Sequence, residues 1–254
     1  KSQWVKKLQR LYSLNVVNNK ISLTTIEKAK LRLRVTKDYP QFENFDYQQQ
    51  RLDAAKKQRH EKDGTRAPDA DYVLLTQYSG KLECLGLDFQ LPPGVSLRAN
   101  ISHFDFESLT QVLVIENQAV FDSWHLANIP LELHHCPVIY RGDKSNIKPL
   151  AGVVNFINNV NKDMSVIVYF DCDPTGMRLA STFPKADKLL TCADFPDDFK
   201  KDFNQTNKLI DQEKDIEYLS KADWAGWREQ ANRIRTGKLA IMQEHIHAHQ
   251  LPLT

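Results

Sequence analysis

Three carboxylates at the ends of apolar runs are the residues best suited to chemistry in this chain. Asp171 and Asp173 close the stretch V-I-V-Y-F-D-C-D-P-T-G (166–176), and Glu116 closes Q-V-L-V-I-E-N (111–117). The run from Val166 to Phe170 has the length of a strand buried on both faces and is too short for a stable helix. Residues two apart in an extended chain point the same way, so Asp171 and Asp173 are expected to project together, with Cys172 opposite. Pro174 ends ladder pairing and suits the first turn of a helix, and Gly176 is expected to permit a sharp exit. Acids delivered to the carboxyl edge of a sheet lie where open α/β sheets bind ligands. Hard oxygen donors there suit Mg²⁺, which takes one or two carboxylates alongside substrate phosphates.

The elements that must carry these acids follow from periodicity. From Phe106 onward, strand-like and helix-like stretches alternate: strands at 111–117, 137–143, 165–170 and 188–192, with helices around Phe121–Leu126, Asn146–Asn159 and Thr175–Phe183. That alternation predicts a parallel sheet with right-handed crossovers, which brings Glu116 to the same edge as Asp171 and Asp173. Before it, Y-V-L-L-T-Q-Y (72–78), K-L-E-C-L-G-L (81–87) and V-S-L-R-A-N-I-S (95–102) read as a small β-rich bridge after a linker at 63–71. Cys84 and His103 are simplest as structural or exposed residues. Three stretches near the start have helical spacing: 1–12, one capped by Thr24 or Thr25, and 47–62. Their basic residues, including Lys28, Lys30, Arg32 and Arg34, suit either a winged-helix-like DNA module or a packing and docking bundle. The domain division expected is a basic α+β region over 1–105 and an α/β domain over 106–254.

Charge is uneven along the chain. Residues 1–66 hold 16 Lys and Arg against 7 Asp and Glu, whereas the whole chain carries a net charge of only +2. A basic arm beside an acidic remainder suits nucleic-acid binding next to a carboxylate site, and solvated helix faces would give the same pattern. With 41% hydrophobic and 26% charged residues the composition is that of a soluble globular protein. No run approaches the roughly 20 apolar residues of a membrane helix, so no membrane association is expected. Four scattered cysteines (84, 136, 172, 192) imply reduced thiols in a cytoplasmic protein and argue against structural zinc.

Glu at the end of one apolar strand, followed 55 positions later by D-x-D at the end of another, resembles the Toprim domain of topoisomerases, primases and some nucleases. F-D-C-D-P-T-G is similar to the D-x-D-P-x-G of the topoisomerase VI A subunit and its meiotic relatives. I-E-N-Q-A-V-F resembles the E-N-x-x-x-F of JetD, the Toprim nuclease subunit of Wadjet SMC defence systems, and of the related MksG. Y-R-G-D-K-S, F-P-K-A-D-K-L-L-T-C-A-D-F and I-M-Q-E-H-I are similar to JetD segments in the same order, and the resemblance covers about residues 107–254. It implies a Rossmann-like Toprim sheet and a metal-dependent DNA endonuclease working with SMC-type subunits against plasmids or phage. Asp171 and Asp173 would ligate Mg²⁺ or Mn²⁺, and Glu116 would complete the site as ligand or general acid/base. Crowded acids without a cation are expected to have raised pKa values. Glu244 stands where the JetD-like pattern carries Gln-Glu and is a further candidate ligand; a solvated helical Glu is the alternative. Arg141, Lys144 and Arg178 border the acid-bearing strands as candidate DNA-phosphate contacts, with surface solvation as the alternative.

Topoisomerase VI relatives cut DNA with a tyrosine, and no tyrosine here stands in a recognisable version of that motif. Tyr12, Tyr39, Tyr47, Tyr72 and Tyr78 qualify by availability alone, so water is the expected nucleophile. The alternatives are a tyrosine-dependent strand-breaking enzyme and a non-catalytic Toprim-like DNA-binding subunit. Cutting both strands calls for two sites, which suits a homodimer. His245, His247 and His249 read as a polar tail rather than a metal cluster, and the segment around Trp224 and Trp227 suits either partner docking or core packing.

Overall fold

The computed structural model describes residues 9–14, 16–17, 20–38, 51–56, 67, 69–86, 90–142, 150–221 and 227–254. The chain divides into two units, Lys1–Pro68 and Asp69–Thr254.

In the first unit, two-residue strands β1 (Val16–Val17) and β2 (Lys20–Ile21) pair antiparallel. Helix α1 (Thr25–Asp38) follows, then the short helix α2 (Arg51–Ala55). Thr24 starts α1 through a reciprocal capping box: the Glu27 N–H donates to Thr24 Oγ1 at 3.2 Å, and the Thr24 N–H donates to Glu27 Oε2 at 2.8 Å. No residue of α1 is buried, and Lys28, Lys30, Arg32 and Arg34 are exposed. Residues 9–12 of the expected first helix are helical; most of that helix and of the expected 47–62 helix lies outside the described residues.

Six strands of the second unit form one mixed sheet: β3 (Tyr72–Gln77), β4 (Leu97–Asn100), β5 (Gln111–Ile115), β6 (Pro137–Tyr140), β7 (Ser165–Tyr169) and β8 (Ala186–Leu189), in the order β4-β3-β6-β5-β7-β8. The pairs β6–β5, β5–β7 and β7–β8 are parallel, whereas β3 runs antiparallel to both β4 and β6. The expected parallel sheet is therefore present, extended by two antiparallel strands. The sequence pattern puts those two strands in the N-terminal region; their ladders place them in the α/β unit instead, which begins at Asp69 rather than near 106. The third expected bridge strand, around Cys84, is a 3-10 turn (Glu83–Leu85) ended by Gly86 at φ 63°, a left-handed conformation that glycine adopts without penalty.

Strand alternation divides the apolar residues between two cores. Leu113, Ile115, Ile167 and Tyr169 face one, and Val112, Val114, Val166 and Val168 face the other. Helices cover both faces, so near-continuous apolar strands are what this sheet needs. On the first face lie α3 (Gln118–Asp122), α9 (Arg228–Thr236) and α10 (Gln243–Ala248), through Val120, Phe121, Ile234 and Ile246. On the second lies α4 (Ala151–Asn159), through Val153, Phe156 and Ile157. Gly152 brings α4 against β3 so closely that a Cβ there would stand 2.0 Å from the Tyr72 carbonyl oxygen. Helix α5 (Pro174–Ser181) contributes Met177 to one core and Ala180 to the other. The remaining helices are α6 (Asp197–Phe203), α7 (Lys208–Asp211) and α8 (Glu213–Lys221).

The chain leaves central β5 for β6 on one side, then crosses back to β7 on the other. The winding direction thus reverses between β5 and β7, and at such a switch point the loops after adjacent strands part to open a crevice. Glu116 and Asp171 leave the sheet at this place.

Candidate carboxylate site

The exits of β5 and β7 are tied to each other and to α10. The Glu116 N–H donates to the Tyr169 carbonyl at 3.2 Å, extending the ladder by one bond. Gln243, the first residue of α10 and fully buried, makes three further bonds. Its backbone N–H donates to Asp171 Oδ1 at 2.8 Å, its Nε2 donates to the Tyr169 carbonyl at 2.7 Å, and its Oε1 accepts from the Asn117 N–H at 3.1 Å. The segment before α10 is itself held by a two-bond bridge between Cys172 and Ile241, at 2.9 and 3.1 Å. A glutamine in a short terminal helix thus holds the acid-bearing ends in register. Nothing in its residue type announced this.

Asp171 sits among like charges. Burial, then Glu116, then Asp173 and Glu244, raise its carboxyl from the ordinary aspartate range to about 7, against the lowering effect of the Gln243 N–H. Of the expected acids, Glu116 and Asp173 both act on Asp171, and Glu244 does so as well. Burial likewise pushes the Tyr169 phenol well above its ordinary value, with Asp171 the next cause.

Asp173 is engaged differently. Its Oδ1 accepts from the Gly176 N–H at 2.6 Å, which caps α5, and its Oδ2 accepts from Gln212 Nε2 at 2.7 Å. The simple picture of two acids projecting from one strand side needs correction: Phe170 joins one core and Cys172 the other, so regular alternation ends before Asp173. Gly176 is there for close approach rather than a sharp exit, since a Cβ would stand 2.2 Å from the Asp171 carbonyl oxygen. Next to this cap, Asp215 of α8 accepts from Thr175 Oγ1 and pairs with Arg178 Nε, both at 2.6 Å.

The three candidate DNA contacts part ways. Arg178 is committed to Asp215. Arg141, 2% exposed, is not a surface cation at all: its guanidinium lies 5.7 Å from the Phe170 ring centroid and is influenced by Glu116, while burial lowers its pKa. It is a buried counter-charge to the acids. Lys144 lies outside the described residues.

The other constellations resolve into packing. His245 and His249 flank the Phe203 ring at 4.9 and 4.5 Å, and His247 Nε2 contacts Ser123 Oγ at 2.9 Å, so the C-terminal histidines form a docked helix rather than a polar tail. Trp227 packs against both cores, and Trp224 lies outside the described residues. Among the candidate tyrosines, Tyr12 is buried, Tyr72 lies under the Arg98 guanidinium, and Tyr78 stacks on His134. Tyr39 and Tyr47 fall outside the described residues.

In kind and charge, Glu116, Asp171, Asp173 and Glu244 fit a hard divalent cation, whose charge would relieve their mutual repulsion. Among the described residues, no three His, Cys, Asp or Glu side chains are gathered closely enough to hold a metal ion as they stand. A linkage prediction follows. Because folding raises the Asp171 pKa, its favourable contribution is complete below the unfolded value and is lost as pH rises through about 7. Without added metal, the domain is expected to lose on the order of 2–4 kcal/mol from this group between pH 4 and pH 8. Mn²⁺ should restore stability at pH 8 and do little at pH 5, as melting curves with and without the ion would show. An equal Mn²⁺ effect at both pH values would contradict the assignment.

No helix of the described residues is long and apolar enough to cross a membrane. None of the curated proteins matches this chain. A family model described as a domain of unknown function matches residues 70–254, nearly the whole span of the α/β unit. The chain therefore belongs to the DUF7281 family.

Proposed function

We propose that the α/β unit is a Toprim-type, divalent-metal-dependent DNA endonuclease, and that it serves as the nuclease subunit of an SMC-type complex acting on plasmids or phage. The observation that carries the chemistry is Asp171, a half-buried carboxyl raised to about 7 by burial and three neighbouring acids at the switch point of the sheet. A carboxyl raised by burial and by like charges at a ligand-binding edge is the kind of group that a bound cation would relieve. The DNA and SMC parts of the proposal rest on the motif resemblance, together with the exposed basic face of α1.

Each residue then has a role. Glu116, Asp171, Asp173 and Glu244 are the donor set for Mg²⁺ or Mn²⁺, which when bound would supply Lewis-acid stabilisation of phosphodiester charge and a more acidic water. Glu116 is the candidate general base, with the buried Arg141 guanidinium as a counter-charge near it. Gln243 fixes the Asp171 carboxylate. Hydrolysis by water, rather than transfer to a tyrosine, fits the ring and core contacts of Tyr12, Tyr72 and Tyr78. Supercoiled plasmid incubated with Mg²⁺ or Mn²⁺ should be nicked or linearised by wild type and left intact by Glu116→Ala and Asp171→Ala, with no protein on the ends. Cleavage unchanged in the variants would refute the site, and a covalent adduct would establish a tyrosine nucleophile.

The engagement of both Asp173 oxygens favours a second reading, a non-catalytic Toprim-like DNA-binding subunit. Gln212→Ala separates the two. If Asp173 is a ligand, freeing its Oδ2 should tighten Mn²⁺ binding about tenfold, the scale of one charge-assisted hydrogen bond. If the carboxylate is only a helix cap, Mn²⁺ affinity will not move.

A further inference from the structure

The segment 204–215, which includes α7, runs alongside the acids and is fastened at both ends. At its start the Ala240 N–H donates to Asn204 Oδ1 at 2.6 Å, and the Gln205 N–H donates to the Ala240 carbonyl at 2.9 Å. At its far end Asp215 holds Thr175 and Arg178 of α5. Between these ties, Gln212 Nε2 reaches Asp173 Oδ2 at 2.7 Å. Lys208 lies four residues before Gln212 and is half-buried, with its Nζ 3.1 Å from Met242 Sδ. Met242 is the N-cap residue of α10, next to the Gln243 N–H that bonds Asp171. Two separate contacts, one through Gln212 and one through Met242, thus put the Lys208 ammonium at the rim of the carboxylate site.

Two independent observations point to a ligand here. An ammonium carries three N–H donors, and a thioether is a weak acceptor. Among the described residues Lys208 has no carboxylate or carbonyl partner, whereas Arg178 pairs with Asp215 and Arg233 donates to the Cys192 carbonyl. The second observation is Gln212. Its Nε2 is engaged by Asp173, yet its Oε1 is buried and has no partner among the described residues. Buried polar atoms are seldom left in that state. A cation with spare donors and a buried acceptor with no donor, about one helical turn apart, together suit a hydrated anion.

We infer that Lys208 binds a phosphate group beside the acids, with Gln212 Oε1 accepting from water that accompanies it. A lysine ammonium serves phosphate as a compact point charge, and its flexible stem lets it leave the sulfur for an oxygen anion. Arg178 is committed to Asp215 and Arg141 is buried, so neither supplies that contact. Taking the scissile phosphodiester as the group held rests on the endonuclease reading; a free phosphate would be met by the same ammonium.

The test is an amide NMR titration of the full 254-residue chain, in Mg²⁺, with inorganic phosphate. Phosphate should shift the Lys208 backbone amide and the Gln212 side-chain amide. Lys208→Gln should weaken phosphate binding at least about tenfold, Lys208→Arg should keep most of it, and Lys201→Gln, at an exposed cation of α6, should change nothing. Lys208→Gln should also retain the wild-type Tm and Mn²⁺ affinity, which separates a lost anion contact from a disturbed carboxylate site. On plasmid, its kcat/KM should fall about 10–100-fold, the scale of one hydrogen bond between charged groups. Weakened phosphate binding with unchanged kcat/KM identifies a free phosphate as the occupant. Phosphate binding through Lys208 by a protein that cuts no DNA would support the anion site and count against the endonuclease reading. Cleavage and phosphate binding both unchanged in Lys208→Gln would overturn the inference and leave that reading standing, as would the absence of any shift at about 10 mM phosphate.

Discussion

Replacing Asp171 with asparagine is expected to make the metal-free domain more stable at pH 8 and to abolish the cleavage proposed for it. Asparagine keeps an oxygen to accept the Gln243 N–H and nearly the same volume, so the geometry survives. What disappears is a carboxylate that burial and three acidic neighbours disfavour. The gain should be on the order of 2–4 kcal/mol at pH 8 and close to nothing at pH 4, where the native carboxyl is already protonated. For a domain of this size that corresponds to a rise in Tm of about 5–10 °C. Cleavage should fall by at least about a hundredfold, since even residues that merely orient metal ligands are worth 10–100-fold. Stability rising as activity falls is the signature of a site under functional strain. Paired melting curves at the two pH values, together with the plasmid assay, test both halves. A variant less stable than wild type at pH 8 would mean that the Asp171 charge is compensated by contacts other than those described.

Gln243→Met should do the reverse, lowering stability and activity together. Methionine fills the space but leaves the Asn117 N–H without its Gln243 partner and removes one of two donors from the Tyr169 carbonyl. A buried donor stranded in this way costs about 1–3 kcal/mol, and with repacking the expected loss is roughly 2–4 kcal/mol. Cleavage, measured well below the lowered Tm, should fall about 10–100-fold, because the exits of β5 and β7 are no longer fixed relative to each other. Gln243→Glu should be worse than Gln243→Met, since it adds a fifth carboxylate to the Asp171 cluster and presents an acceptor to the Tyr169 carbonyl. If glutamate were tolerated as well as glutamine, the hydrogen-bond account of this residue would fail.

The sequence made the sheet core and its acids readable, for a physical reason. Val166–Phe170 and Val112–Ile115 are apolar on both faces, and only a strand covered on both sides tolerates that pattern. Pro174 then fixed the helix start, and α5 begins at that residue. Other features depend on partners far away in the chain. Tyr72–Gln77 reads as a strand, but nothing local says that it will pair with Pro137–Tyr140. Arg141 looks like a surface cation until Glu116 and Phe170 are placed beside it, and the histidines of α10 look like a tail until Phe203 is set between two of them. Gln243 is the clearest case. Its role resides in three bonds to elements more than 70 residues earlier, and an uncharged side chain on a six-residue helix carries no periodicity or charge by which to detect it.

That long reach fixes when the site can come into being. Gln243 bonds to Asn117 across 126 residues and to Asp171 across 72. A chain emerging from the ribosome exposes Glu116, Asp171 and Asp173 well before the segment that holds them together. Until α10 docks, the exits of β5 and β7 lack the bonds from Gln243 that hold them in register. Docking of α10 is in this sense a precondition of the proposed activity, built into the order of the sequence itself.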